Sequence, residues 1–311
     1  MNIDALIDPE IASLLATLPR MTSFTLDQIP AMRQIRLDQL ATITLSDAVE
    51  RRDVAAPGAN GAPDVRLRVH RPRGSAGPLP CLYFMHGGGY VMGSYGMDDL
   101  RFDKWCPLLG CVGVSVDYRL APETPYPGPL DDCYAGLAWL HQNAKTLGID
   151  PARIGIGGAS AGGGLAAGLA LLARDRAEFP IASQLLIYPM IDDRMVTASS
   201  GWAVPIWAPG SNRQGWRAYL GQWTGGEVPI YAAAARANNL AGLPPTQILV
   251  GALDGFLDED VDYAMRLTHA GVPTELHVFP GAPHGFDGMM PATSLARRAR
   301  QTMEQWLARV L

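Results

Sequence analysis

The chain is 311 residues long, with 48% hydrophobic and 18% charged residues, which is enough apolar content for a large buried core and excludes a disordered chain. Its 25 basic and 30 acidic residues give a net charge of −5 with no run of Lys or Arg, which argues against a nucleic-acid partner. No stretch approaches the ~18 apolar residues that span a bilayer, and Met1-Asn2-Ile3-Asp4 lacks the features of a secretory signal, so a cytoplasmic location with no membrane partner is expected.

Residues 1–50 read as an N-terminal helical segment, with helical stretches at Ile7 to Thr17 and Ile29 to Leu45 interrupted by Pro9, Pro19 and Pro30. The first convincing strand is expected at Val65, where Val65, Leu67 and Val69 alternate with polar residues. Short apolar runs then recur at Cys81 to Met85, Val112 to Val116, Ile154 to Ile156, Gln184 to Tyr188, Thr246 to Val250 and Glu275 to Phe279. Helix-period stretches separate them at Asp131 to Ala144, Ser160 to Arg176, Asp258 to Ala270 and Ser294 to Val310. That rhythm predicts a mostly parallel sheet with helices on both faces over residues 51–311. One segment breaks it: residues 190–241 show no clear strand but carry Trp202, Trp207, Trp216 and Trp223, and read as a helical insertion that covers a sheet edge together with the N-terminal helices. Cys81, Cys106, Cys111 and Cys133 show neither a Cys-x-x-Cys pair nor a neighbouring His at metal spacing and read as buried free thiols, so no metal is expected.

The strongest chemical signal is Gly158-Ala159-Ser160-Ala161-Gly162 between a strand and a helix. A sharp strand-to-helix turn of this kind projects a serine hydroxyl at a helix N-terminus, and the flanking glycines let the chain pass itself. The dinucleotide and phosphate-loop readings fail, because Ser160 stands where the third fingerprint glycine would be and no Gly-Lys-Ser/Thr follows. Upstream, His86-Gly87-Gly88-Gly89-Tyr90 follows a strand, and glycine amides free of side chains suit the stabilisation of a developing oxyanion; the amide of Ala161 is a further donor. A serine on this architecture is followed in the chain by its acid and then its base. Asp254 after one late strand and His284 after the next fit that order. His70, His141 (mid-helix), His269 and His277 read as structural, His86 as ordering the glycine loop, and Asp258 as the cap of its helix.

With those motifs in place, the sequence resembles the hormone-sensitive lipase family of α/β-hydrolases, in particular the bacterial His-Gly-Gly-Gly esterases of heroin-esterase type. Asp117-Tyr118-Arg119-Leu120-Ala121-Pro122-Glu123, the Asp254 to Glu259 region, His284-Gly285-Phe286, Tyr231-Ala232-Ala233, Ser160 to Gly168 and Leu243-Pro244-Pro245-Thr246 carry the resemblance, which runs from about residue 40 to the end. It implies an α/β-hydrolase fold with a helical cap, a catalytic triad of Ser160, Asp254 and His284, oxyanion donors Gly88, Gly89 and Ala161, and no cofactor. Two departures stand out. Ala159 replaces the usual aspartate beside the nucleophile, removing a supporting carboxylate, and Asp254-Gly255-Phe256 replaces Asp-Pro-Leu, which is expected to loosen the acid loop.

The reaction expected is hydrolysis of short-chain or aromatic carboxylic esters through an acyl-enzyme, with the tryptophans either bounding a pocket or filling the insertion's own core. Two rival readings stay open in the sequence: an amidase or carbamate hydrolase on the same triad, and a non-catalytic ligand-binding relative. Its partner would be a small-molecule ester, and a homo-oligomer is left open.

Overall fold

The computed structural model describes residues 3–18 and 21–311, so the helix-breaking role expected of Pro19 lies outside the described residues. Among the described residues eight strands occur: β1 (Val49–Ala56), β2 (Val65–Pro72), β3 (Leu79–Met85), β4 (Val112–Asp117), β5 (Ile149–Ala159), β6 (Gln184–Ile187), β7 (Thr246–Gly251) and β8 (Thr274–Phe279). They form one sheet in the order β1-β2-β4-β3-β5-β6-β7-β8. Only the β1-β2 and β2-β4 pairs are antiparallel, and every pair from β4 to β8 is parallel.

The helices are α1 (Pro9–Leu15), α2 (Ile29–Ala41), α3 (Asp99–Leu109), α4 (Gly128–Gln142), α5 (Ala144–Leu147), α6 (Ala161–Arg176), α7 (Pro209–Leu220), α8 (Leu257–His269), α9 (Phe286–Met289) and α10 (Ser294–Val310). Strand β3 shows how the sheet divides two cores. Cys81, Tyr83 and Met85 point into the layer holding Leu137 of α4, Leu165 and Leu169 of α6 and Tyr263 of α8. Leu82 and Phe84 point into the other, with Phe102 and Trp105 of α3 and Met303 and Trp306 of α10. Successive side chains of a strand face opposite ways, so a strand buried on both sides is apolar at every position. Packing is close enough that β-carbons added at Gly113 or Gly136 would overlap the Phe102 ring or the Tyr83 hydroxyl.

Several expectations need correction. Strand β1 precedes the first strand read from the sequence; as Val-Glu-Arg-Arg-Asp-Val-Ala-Ala on the sheet's edge, it is half exposed and lacks an apolar run. Helix α3 was not anticipated, since Pro107 interrupts its pattern. Pro9 and Pro30 open helices rather than break them, because the first turn has no use for the missing N–H. Helix α2 stops at Ala41, short of Leu45, before the β-branched Thr42-Ile43-Thr44. His141 sits in the last turn of α4 rather than mid-helix. No strand occurs between β6 and β7. That stretch holds α7 and short 3₁₀ turns around Ser199, Gly221 and Ala234.

Candidate active site

The loops that leave β3, β5, β7 and β8 all lie at the C-terminal end of the sheet's parallel strands. At the β5-α6 turn, Ser160 has φ 58° and ψ −121°, a left-handed region that side chains resist. The conformation is held from three sides: its N–H donates to the carbonyl of Ile187 at 2.9 Å, and its own carbonyl accepts from Gly164 and Met190 at 3.0 Å each. The turn requires its glycines. A β-carbon at Gly158 would overlap the carbonyl oxygen of Gly162, and one at Gly162 would overlap that of Met85.

Ser160 Oγ lies 2.9 Å from His284 Nε2, and His284 Nδ1 lies 2.8 Å from Asp254 Oδ2. All three are buried, at 8%, 5% and 1% exposure, so the hydrogen-bonded chain is shielded from water along its length. The imidazole is fixed by neighbouring rings as well: Phe256 stands nearly perpendicular to it (87°) at 5.1 Å, and Tyr188 is tilted at 64° to it at 4.6 Å between centroids. Tyr188 is itself anchored by donating to Asp287 Oδ1 at 2.6 Å.

The acid loop is tied rather than loosened by Gly255. Asp254 Oδ1 accepts the Phe256 N–H at 3.0 Å, and the Gly255 carbonyl accepts the Ser199 hydroxyl at 3.1 Å. Asp258 does not cap its own helix. Its carboxylate accepts the Ser199 N–H at 2.8 Å while its N–H donates to Ser199 Oγ at 3.1 Å, a reciprocal pair that fastens the 190–241 segment to α8. Next to it, Glu259 is buried and its Oε1 takes the N–H groups of Ile191 and Asp192, pinning the chain just after β6. Burial drives the Glu259 carboxyl well above its ordinary range, and it does the same to Asp260, whose two oxygens have no hydrogen-bond partner among the described residues. Read as the opening of a helix, these acids gave no sign of facing inward.

The glycine loop after β3 turns at Gly88 (φ 126°) and Gly89 (φ 60°), values available to glycine and strained for other residues. Among the described residues, no hydrogen bond uses the N–H of Gly88 or Gly89. Ala161 opens α6, where the first N–H groups have no intrahelical acceptor, so it completes a set of three unspent donors. His86 stays apart from Ser160. It stacks on Tyr118 at 4.2 Å, its Nδ1 lies 2.8 Å from the Gly87 carbonyl, and burial lowers its basicity, so it orders the loop as a neutral ring.

The loop is also braced from outside. Arg33 of α2 donates to the carbonyls of Val91 (2.7 Å) and Ala121 (2.9 Å) and grips Glu123 with its two terminal guanidinium nitrogens. Arg119 forks onto Asp132, and Tyr118 donates to the His86 carbonyl at 2.7 Å. The Asp117 to Glu123 stretch thus works as scaffold, and Arg33 was missed because nothing local in its helix marks a contact 88 residues away. The four tryptophans divide: Trp216 is buried against Tyr90 and Tyr219, Trp223 packs edge-on to Tyr126, Trp202 leans on the second core, and Trp207 sits on Gly89. The four cysteines are buried and free; no group of residues suited to hold a metal occurs among the described residues, nor is any helix long and apolar enough to cross a membrane.

Comparison with known proteins gives the same picture over most of the sequence. A family profile described as the α/β-hydrolase fold matches residues 82–288. The chain is 36% identical to a carboxylesterase of Mycobacterium tuberculosis, NlhH, over 90% of this chain and 88% of that protein. Among solved structures, a bacterial heroin esterase superposes with a TM-score of 0.92 at 40% identity, covering 99% of this chain and 98% of the other. The esterase LipW of Mycobacterium marinum does so with a TM-score of 0.89 at 36% identity, covering 99% and 97%. The sheet order, the strained serine turn and these relatives converge: the chain belongs to the α/β-hydrolase fold family, in its hormone-sensitive-lipase-like branch.

Proposed function

We propose that this protein is a carboxylesterase in which Ser160 is the nucleophile, His284 the general base and Asp254 the group that orients it. The observation that carries the reading is the unbroken chain Ser160 Oγ–His284 Nε2 (2.9 Å) and His284 Nδ1–Asp254 Oδ2 (2.8 Å), starting from a serine held in a left-handed turn. The Ser160 proton passes to Nε2 as Oγ bonds to the ester carbonyl carbon. The resulting oxyanion accepts from the amides of Gly88, Gly89 and Ala161, while the Asp254 carboxylate stabilises the imidazolium. Collapse breaks the carbon–oxygen bond to the alcohol, which takes the proton from Nε2. Water then attacks the acyl-Ser160 ester, giving its proton to His284, and the free acid leaves as Oγ recovers a proton.

No step in that sequence calls for a cofactor. The substrate is a small ester with a short-chain or aromatic group, because the space beside the glycine loop is walled by the fixed ring of Trp207 rather than left as an extended apolar surface. Four buried free thiols fit the reducing cytoplasm. The test is kcat/KM across p-nitrophenyl esters from acetate to palmitate. Each buried methylene adds about 0.8 kcal/mol until the wall is met, so activity rises over the first few carbons and then falls. An optimum at long chains with a jump above the micellar concentration would contradict it.

A further inference from the structure

Between the Ser199 turn and α7, residues 204–207 run across the three loops that hold the candidate site. A β-carbon added at Gly255, beside Asp254, would rest 3.9 Å from Val204 Cγ2. One at Gly285, beside His284, would rest 4.0 Å from Ile206 Cγ2, and one at Gly89 would overlap Cη2 of Trp207. A single short strap therefore touches the acid loop, the base loop and the glycine loop in order. Its path is not relaxed. Ile206 has φ 72°, a left-handed conformation that a β-branched residue avoids unless its surroundings impose it. The surroundings do impose it: Val204 is buried at one end and Trp207 is fixed at the other. The Trp207 Nε1–H donates to Asn212 Oδ1 at 3.2 Å, its ring packs 6.1 Å from that of Phe24, and Gly215 leaves room for its edge.

We propose that Trp207 is a specificity-determining residue that limits bulk on the carbon next to the scissile carbonyl. The inference rests on the ester-hydrolase reading and names its substrate class: esters of unbranched acids. A carbonyl oxygen must come within about 3 Å of the Gly89 N–H to use it. The indole lies directly on the α-carbon of that glycine, so the first substituents beyond the carbonyl carbon are the ones that reach the ring. A single hydrogen-bearing carbon passes beneath it. A fully branched carbon cannot do so without lifting the ester out of hydrogen-bonding distance, and the contacts of Trp207 with Asn212 and Phe24 oppose its swinging aside.

The test compares p-nitrophenyl acetate with p-nitrophenyl pivalate, which share a leaving group and differ only at that carbon. Wild type is expected to favour acetate strongly. Trp207→Ala raises the pivalate-to-acetate ratio of kcat/KM at least about tenfold, mainly through kcat, and Trp207→Phe raises it by less. A merely structural role for the indole would lower both esters together and leave the ratio where it was. Trp207→Phe keeps an aromatic packing partner for Phe24, so it carries the test if the alanine variant does not fold. A ratio within twofold of wild type in the folded variants overturns the inference. Failure of wild type to hydrolyse either ester would instead overturn the ester-hydrolase reading.

Discussion

The loops after β3 and β5 and the strap at 204–207 both shape the candidate site, but they do so by different means. The first two are fixed by main-chain geometry. Gly88, Gly89, Gly158 and Gly162 stand where a side chain would collide or where φ is positive, and the serine turn is held by backbone hydrogen bonds to Ile187, Gly164 and Met190. The strap and the turn before it are fixed by side chains: Asp258 to Ser199 in the turn, Asn212 to Trp207 and Phe24 against the indole in the strap. The contrast teaches where chemistry and selectivity reside. The proposed donors and nucleophile sit on a frame whose glycines leave no room for a side chain, while the proposed wall facing them is a replaceable side chain on a tied segment.

Substitutions break the comparison at different depths. Ser160→Ala and His284→Ala are expected to cost about 10⁴-fold or more in kcat while leaving the fold intact, since members of such a unit fail together; residual turnover above a tenth of wild type would remove Ser160 as nucleophile. Asp254→Asn follows at about 10³–10⁴-fold, because an amide can hold the imidazole in the wrong tautomer. Gly89→Val forces a side chain into Trp207 at φ 60° and disturbs a proposed oxyanion donor, so kcat is expected to fall about 10²–10³-fold with a smaller change in KM. Were the effect confined to KM, the loop would only shape the pocket. Asp258→Asn loosens the Ser199 turn that leads into the strap without touching the imidazole and costs only a few fold. A loss exceeding that of Asp254→Asn in folded protein would reverse the assignment of the acid.

The smallest effect concerns stability rather than turnover. Burial pushes the Asp98 carboxyl up to about 7, with Arg101 pulling it back and Asp99 adding to the rise. Between its unfolded value, near 3.9, and about 7 the folded state holds a proton that the unfolded state has released, so stability falls as pH rises through that window. Glu259 and Asp260 act in the same direction. Asp98→Asn is expected to shrink the drop in urea midpoint between pH 5 and pH 8, each pKa unit removed being worth about 1.4 kcal/mol. An undiminished drop would place the sensitivity elsewhere.

What was legible in the sequence follows the same division. Strands buried on both faces announce themselves as apolar runs, and a glycine forced by a turn is visible because no other residue would serve, so the parallel core of the sheet could be read from apolar runs, and Ser160, Asp254 and His284, which the fold brings into hydrogen-bonding distance, from motif and chain order. Edge strand β1 could not, since it is half exposed and polar, nor could α3 with its internal Pro107. Glu259, Asp258 and Arg33 were hidden for another reason. Each acts through a partner 58 to 90 residues away, and a charge on a helix reads as solvated until the fold supplies that partner. The aromatic cluster at residues 202–223 was visible as a cluster, but only the fold separates Trp216, which fills a core, from Trp207, which faces the glycine loop.

The central claim is that Ser160 is an activated nucleophile. Incubating the protein with p-nitrophenyl diethyl phosphate and mapping the product by peptide mass spectrometry tests it directly. The account predicts one diethylphosphoryl group per chain, on the peptide containing Ser160, appearing in step with loss of esterase activity and absent from Ser160→Ala. Activity lost with the label on another residue, or full activity retained after Ser160 is phosphorylated, would contradict it.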